Sequence, residues 1–230
     1  MRRVRIRSLS RVFGRQFALH RVSLELEAGT ITGLVGDNGA GKTTLLNIIA
    51  TLDPPTSGEI NYDKLSWEQF SRQARARIGW VSHDSLVYDD LTGRENLRFF
   101  GDLYGLDDLD ALVTQWLERV GLTNASDQRV GTYSRGMRQR LTLARALIHD
   151  PSLVLLDEPL TGLDQGGRRV MADVFARLRQ EKKIVAMVTH DLATLAELAD
   201  QVAILRAGKL VDFSEVDSEY DLMEAYAENA

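Results

Sequence analysis

Residues 36 to 44, Gly-Asp-Asn-Gly-Ala-Gly-Lys-Thr-Thr, follow the apolar run Ile31-Thr32-Gly33-Leu34-Val35 and lead into Leu45-Leu46-Asn47-Ile48-Ile49. Strand, glycine loop, helix is the order in which a backbone wraps a polyphosphate: glycines let N–H groups turn inward, and the helix N-terminus adds partial positive charge. On this reading Gly36, Asn38, Gly39, Ala40 and Gly41 form the cradle and Lys42 reaches the β- and γ-phosphates. The Thr43 hydroxyl is placed to ligand Mg²⁺, and Thr44 supplies a further oxygen or N–H to the nearer phosphates.

Two other stretches carry chemistry. Leu153-Val154-Leu155-Leu156 is an aliphatic strand ending in Asp157-Glu158-Pro159, and Ile184-Val185-Ala186-Met187-Val188 is another ending in Thr189-His190-Asp191. Carboxylates at a buried strand's end are costly without partners, and a parallel α/β sheet gathers ligands at the carboxyl ends of its strands. Taken singly, Asp157-Glu158 reads as a capped helix start and His190 as a hydrogen-bonded core histidine. Together with the glycine loop they imply nucleotide hydrolysis by an in-line water. Asp157 holds Mg²⁺ through its water shell, Glu158 polarises the water, and His190 orders the water and the γ-phosphate.

The elements that must position these residues follow from periodicity. Val4, Ile6 and Leu9 suggest a first strand, an edge strand by its alternation, and Val22 to Leu26 a second, with Phe13-Gly14 between them. Glu59 to Tyr62 reads as a short strand, Ser66 to Phe70 as the start of a polar helix, and Ile78 to Val81 as a buried strand. Thr92-Gly93-Arg94-Glu95 fits a capping box opening a helix to about Tyr104, and Asp108 to Val120 has amphipathic spacing. Gly131 to Met137 reads as a polar turn before a helix over Arg138 to His149. Asp164 caps a helix toward Gln180, Asp191 to Ala199 is helical, residues 202–205 and 210–213 form a hairpin, and Ser218 to Ala227 is a terminal helix. The pattern implies one α/β unit of 1–230, with a core from 1–83 and 151–230 and an inserted helical subdomain over 84–150.

Composition narrows the function. With 28 Lys+Arg against 33 Asp+Glu there is no general cationic surface, so nucleic acid is not the expected partner. No cysteine occurs, which removes disulfides and thiolate metal sites and fits a reducing compartment. The basic start, Arg2 to Arg7, runs into no sustained apolar segment, so no signal peptide is expected, and no run of about eighteen apolar residues would span a bilayer. Asn124-Ala125-Ser126 has the glycosylation pattern but reads as a polar loop.

In order and spacing, Gly36–Thr44, His83, Tyr133–Met137, Leu153–Glu158, Gly162-Leu163-Asp164 and His190 resemble the Walker A loop, Q-loop, signature, Walker B, D-loop and H-loop of the ATP-binding cassette (ABC) ATPases. The resemblance covers nearly the whole chain. It implies a P-loop NTPase (RecA-like) core with an antiparallel β subdomain, and ATP with Mg²⁺ as what the site takes. It places Phe13 at the adenine-stacking position. It also implies a head-to-tail dimer, with Ser134 and Gly136 of one copy contacting the γ-phosphate held by the other and Asp164 near that interface. The partner would be an integral membrane permease subunit, and the chain would sit in the cytoplasm against the inner face of the cell membrane.

The chain departs from the family pattern at His83, where Gln is usual, and in Tyr133-Ser134-Arg135-Gly136-Met137, where Leu-Ser-Gly-Gly-Gln is usual. A neutral imidazole at His83 can accept from a water or offer one nitrogen to a metal, whereas Mg²⁺ prefers oxygen. The signature run also resembles ATPases of ABC-2-type exporters, including the heme-exporter subunit of cytochrome c maturation. Two other readings are a soluble ABC ATPase acting on the ribosome or nucleic acid, and an ATP-sensing structural subunit.

Overall fold

A computed structural model describes residues 1–82, 85–216, 218, 223, 224, 226 and 227. Two sheets organise it. The first, antiparallel, has the order β2-β1-β4-β5 and comprises β1 (Arg3–Phe13), β2 (Gln16–Glu27), β4 (Ser57–Tyr62) and β5 (Leu65–Ser66). The second has β3 (Ile31–Val35), β6 (Ile78–Val81), β7 (Leu153–Asp157), β8 (Ile184–Val188), β9 (Gln201–Arg206) and β10 (Lys209–Glu215) in the order β10-β9-β3-β8-β7-β6. It is parallel throughout except for the β9–β10 hairpin.

The apolar runs of β3, β7 and β8 are buried at every position because the second sheet is covered on both faces. Alternate residues go to opposite sides. Ile31, Val35, Val154, Leu156, Val185 and Met187 face a cluster built with α3 (Gly93–Leu103), α4 (Leu109–Arg119), α5 (Arg135–Leu147), α6 (Gln165–Gln180) and α7 (Leu192–Leu198). Leu34, Leu153, Leu155, Ile184 and Ala186 face α1 (Lys42–Ile49) and the inner face of the antiparallel sheet, through Leu45, Ile48, Val4, Ile6 and Leu24. Gly33 lies where α7 presses closest: a Cβ there would come within 2.9 Å of Leu195 Cγ.

Several expectations need correction. β1 is not an edge strand but lies between β2 and β4, pairing with both through Ile6↔Leu24 and Ile6↔Ile60. Its alternation reports a half-buried face, not its place in the sheet. The helix after Ser66 is short: α2 (Trp67–Ser71), held by a Ser66–Gln69 capping box, gives way to a 3₁₀ turn over Ala74–Ala76. Helix α5 starts at Arg135 rather than Arg138, because Ser134 Oγ accepts the Met137 N–H as its N-cap. Where a polar loop is expected at Asn124-Ala125-Ser126, residues Thr123–Ala125 form a 3₁₀ turn and Ser126, its C-cap, is buried. Of the helix expected over Ser218 to Ala227, residues 223, 224, 226 and 227 are helical, Ser218 is not, and 219–222 and 225 lie outside the described residues.

Beyond the end of α5, His149 packs face to face on Tyr104 at 3.9 Å, and its Nε2 donates to the Ile78 carbonyl at 3.1 Å. Burial pushes its pKa down to about 4, with the Ile78 bond opposing. The folded state therefore favours neutral His149. That contribution is complete above the unfolded value near 6.5 and disappears as pH falls toward 4. Urea melts at pH 7 and pH 4 should show a stability loss of which roughly 3 kcal/mol vanishes in His149→Phe.

Candidate active site

The loop between β3 and α1 sits at the carboxyl end of the central strand and is shaped by close approach. Gly36 has φ 146°, and a Cβ on it would fall on the Leu205 carbonyl of β9; Gly41 has φ 102°, and its Cβ would fall on the Ala18 carbonyl of β2. No side chain caps α1, and no acidic residue stands in its first turn, so its leading N–H groups face the cavity free for an anion. Lys42 is buried, and its ammonium donates to the carbonyls of Gly36 at 2.6 Å and Asp37 at 3.0 Å. Burial lowers its pKa, opposed by the nearby carboxylates of Glu158, Asp157 and Asp37.

The parallel register brings the other groups to the same level. Asp157 pairs with Val188 across β7 and β8, and the Thr43 hydroxyl donates to Asp157 Oδ2 at 3.1 Å, tying the head of α1 to the end of β7. At Glu158 the chain turns into left-handed conformation, φ 52°, while its N–H donates to the Val188 carbonyl at 2.9 Å. A left-handed non-glycine at a strand end is strained, and it redirects this side chain out of the sheet. Glu158 Oε1 lies 3.4 Å from His190 Nε2, and no hydrogen bond is formed to it among the described residues although it is buried. An acceptor so placed suits a water. Burial raises the Glu158 pKa, with His190 opposing and Asp157 adding to the rise.

These groups enclose a cavity of about 210 Å³ lined by Asn38–Thr44, Asp157, Glu158 and His190, with Ala18 and Val188 at its wall. A second, of about 220 Å³, shares Asp157 and Glu158 and is closed by Ser82, Ser85, Arg135, Arg138, Gln139 and Thr161. The two carboxylates stand between them. The arrangement can cradle a polyphosphate, offer one carboxylate to a cation and another to a water.

Other expected residues stay apart from the first cavity. Ser134 is exposed at the N-cap of α5, and Gly136 abuts the Gly162 carbonyl, where a Cβ would come within 3.1 Å. Asp164 caps α6 by accepting the Gly167 N–H at 2.7 Å and is exposed. Phe13, at the end of β1, is half exposed with the Arg11 guanidinium 4.5 Å over its ring; Ala18 of β2, not Phe13, lines the cavity. His83 lies outside the described residues.

Two hydrogen-bond neighbours of Glu158, Gln139 and Thr161, were not picked out from sequence. Gln139 Nε2 donates to the Glu158 carbonyl and Thr161 Oγ1 to its Oε2, each at 3.4 Å, and Arg135 packs its side chain along Gly162. Gln139 carries a helical-spacing signal, one turn beyond the Ser134–Gly136 turn on the same helix. Replacing Glu158 by Gln should leave nucleotide affinity near its starting value and cut hydrolysis by roughly 10²–10⁴-fold. A carboxyl that accepts a proton must be ionised, and burial raises the Glu158 pKa, so with Glu158 as the base kcat/KM should fall with decreasing pH above the ordinary carboxylate range of about 4.3.

Comparison with known proteins agrees with this geometry. The family model described as ABC transporter matches residues 19–161. The ABC transporter ATP-binding protein NatA of Bacillus subtilis is 36% identical over 207 residues, 89% of this chain and 84% of NatA. The bacitracin transport ATP-binding protein BcrA of Bacillus licheniformis is 35% identical over 91% of this chain and 68% of its own length. The Nod factor export ATP-binding protein I of Burkholderia lata is 37% identical over 89% and 68%. Among solved structures, an ATP-binding subunit of an ABC transporter superposes with a TM-score of 0.87 at 24% identity, covering 97% of this chain and 99% of that one. The dimeric post-hydrolysis state of the cassette MJ0796 with ADP and Pi gives 0.83 at 24%, over 94% and 99%. These structures share the fold, the P-loop NTPase arrangement of an ABC cassette. The chain belongs to the ABC transporter family, as an ATP-binding subunit that hydrolyses ATP.

Proposed function

We propose that this ABC ATPase works as a head-to-tail pair, each copy completing the other's site, and that closure of the pair on ATP drives a separate integral membrane subunit. One observation carries the reading. Lys42, Thr43, Asp157, Glu158 and His190 surround one cavity, while Ser134, Gly136 and Asp164 lie off it, two of them exposed. A second copy is the economical source of the missing wall. The dimeric state of MJ0796 supports it by likeness of fold.

Within the pocket, the loop N–H groups and Lys42 bind the triphosphate and Glu158 accepts the proton of the attacking water, while Phe13, exposed outside the cavity, stacks on the adenine. His190 holds Glu158 and the γ-phosphate in place. Thr43 and Asp157 would hold Mg²⁺: their hydroxyl and carboxylate oxygens are the hard donors it prefers. No group of three or more His, Cys, Asp or Glu suited to a metal occurs among the described residues, so phosphates and water would supply its other ligands. When bound, the ion supplies neutralisation of phosphate charge.

The membrane partner is supported by a groove of about 790 Å³ between α1, α2, β6 and α3, lined by Leu52, Trp80, Phe100, Leu103 and Tyr104. Leu52 and Leu103 are 62% and 66% exposed there, an apolar face that suits a partner. No helix of the described residues is long and apolar enough to cross a membrane. The transport and export named for BcrA and the Nod factor protein favour an exporter working from the cytoplasmic face. A ribosome- or nucleic-acid-directed role has less support, with the net charge at −5.

Two experiments test this. Lys42→Ala and Ser134→Arg copies should each be inactive alone, yet a mixture should regain turnover, because one pocket of the mixed pair joins an intact loop to an intact Ser134. No recovery in a mixture that forms dimers would rule out shared pockets. Purification from membranes should bring down a polytopic protein, and Leu103→Glu should release it while ATP affinity stays unchanged.

A further inference from the structure

Tyr226 reaches the phosphate loop. Beyond β10, the Val216 N–H donates to the Asp200 carbonyl at 3.0 Å, at the end of the sheet remote from the loop. Tyr226 stands at the opposite end. Its hydroxyl donates to Asp37 Oδ1 at 3.2 Å, and its carbonyl accepts from Arg206 Nη2 at 2.9 Å. The Arg206 guanidinium also lies 5.5 Å from its ring centre, and the ring packs against the helical-side core. Arg206 ends β9, which runs parallel to β3 with Val35 opposite Ile204, so it reaches the level of the loop. Just beyond, the Gly208 N–H donates to the Ala40 carbonyl at 3.1 Å.

Asp37 is the one acid within residues 36–44, a segment otherwise made to receive anions. Its carbonyl holds the Lys42 ammonium, yet Asp37 does not line the cavity that Asn38–Thr44 line. A carboxylate turned into that cavity would repel phosphate, at short range and out of bulk water, by more than it would on the surface. We propose that Tyr226 is a positioning residue for nucleotide: its hydroxyl holds the Asp37 carboxylate away from the phosphate cavity, so that the loop meets the triphosphate as a net cation. Burial and the neighbouring carboxylate both push the Tyr226 hydroxyl pKa up, which keeps it a donor. Tyr226 is then part of the nucleotide site, and whatever displaces it weakens ATP binding without touching the reacting groups. The proposal rests on the reading that residues 36–44 bind ATP.

Tyr226→Phe in the full chain removes the hydroxyl and keeps the ring and the carbonyl bond to Arg206. Titration with Mg-ATP should give a Kd weaker by roughly three- to tenfold, with KM rising alike and kcat unchanged. In an Asp37→Asn background the same substitution should change Kd by less than about twofold, since no charge is left to restrain. An unchanged Kd in Tyr226→Phe, or an equal loss with and without Asp37→Asn, would overturn the proposal. Wild-type protein that binds no Mg-ATP would instead defeat the assignment of the loop.

Discussion

Lys42 carries a positive charge into a place almost without solvent, and its ammonium is satisfied there by the carbonyls of Gly36 and Asp37. A buried cation is costly unless hydrogen-bonded and compensated, so the loop must close around it. Closure forces backbone conformations that glycine tolerates, at Gly36 and Gly41, and brings carbonyls of β2 and β9 against them. It also calls for anions nearby, which Glu158 and Asp157 provide from the next-but-one strand.

The sheet that delivers those anions is buried on both faces, and this decides where chemistry can happen. Alternate residues of β3, β7, β8 and β9 are committed to two separate apolar clusters, and between the ends of these strands only Thr32 is polar. Functional side chains are confined to the strand ends. Parallel pairing sets those ends level, so that Asp157, Glu158 and His190 meet the phosphate loop without any long connection. The strained backbone of Glu158 then turns its carboxyl into the cleft instead of along the strand.

Helices on one side and the antiparallel sheet on the other act on the cavity from different directions. Ala18 of β2 walls it, while α5 places Gln139 against Glu158 and carries Ser134 away from it. A single copy thus gathers Lys42, Thr43, Asp157, Glu158 and His190 around one cavity but presents Ser134 outward. As proposed, pairing would turn that separation into a switch, since a site shared between copies exists only while both hold together. The groove between α1 and α3 shares no lining residue with either cavity, so the proposed membrane subunit would act on the same body without entering them.

What the sequence alone determined is local or periodic. The glycine loop, the aliphatic strands ending in Asp157-Glu158 and in His190, the Thr92–Glu95 and Asp164 caps and the family they jointly mark were all readable. Glycine spacing, capping chemistry and strands buried on both faces leave signatures within a few neighbouring residues. Only the tertiary structure decided that β1 is interior, since alternation does not report what pairs on each side. Likewise only the fold put Gln139 under Glu158, Ala18 rather than Phe13 against the cavity, and Tyr226 upon Asp37. Those contacts join residues distant in the chain through sheet order and helix packing, and no short stretch of sequence carries the distance between them.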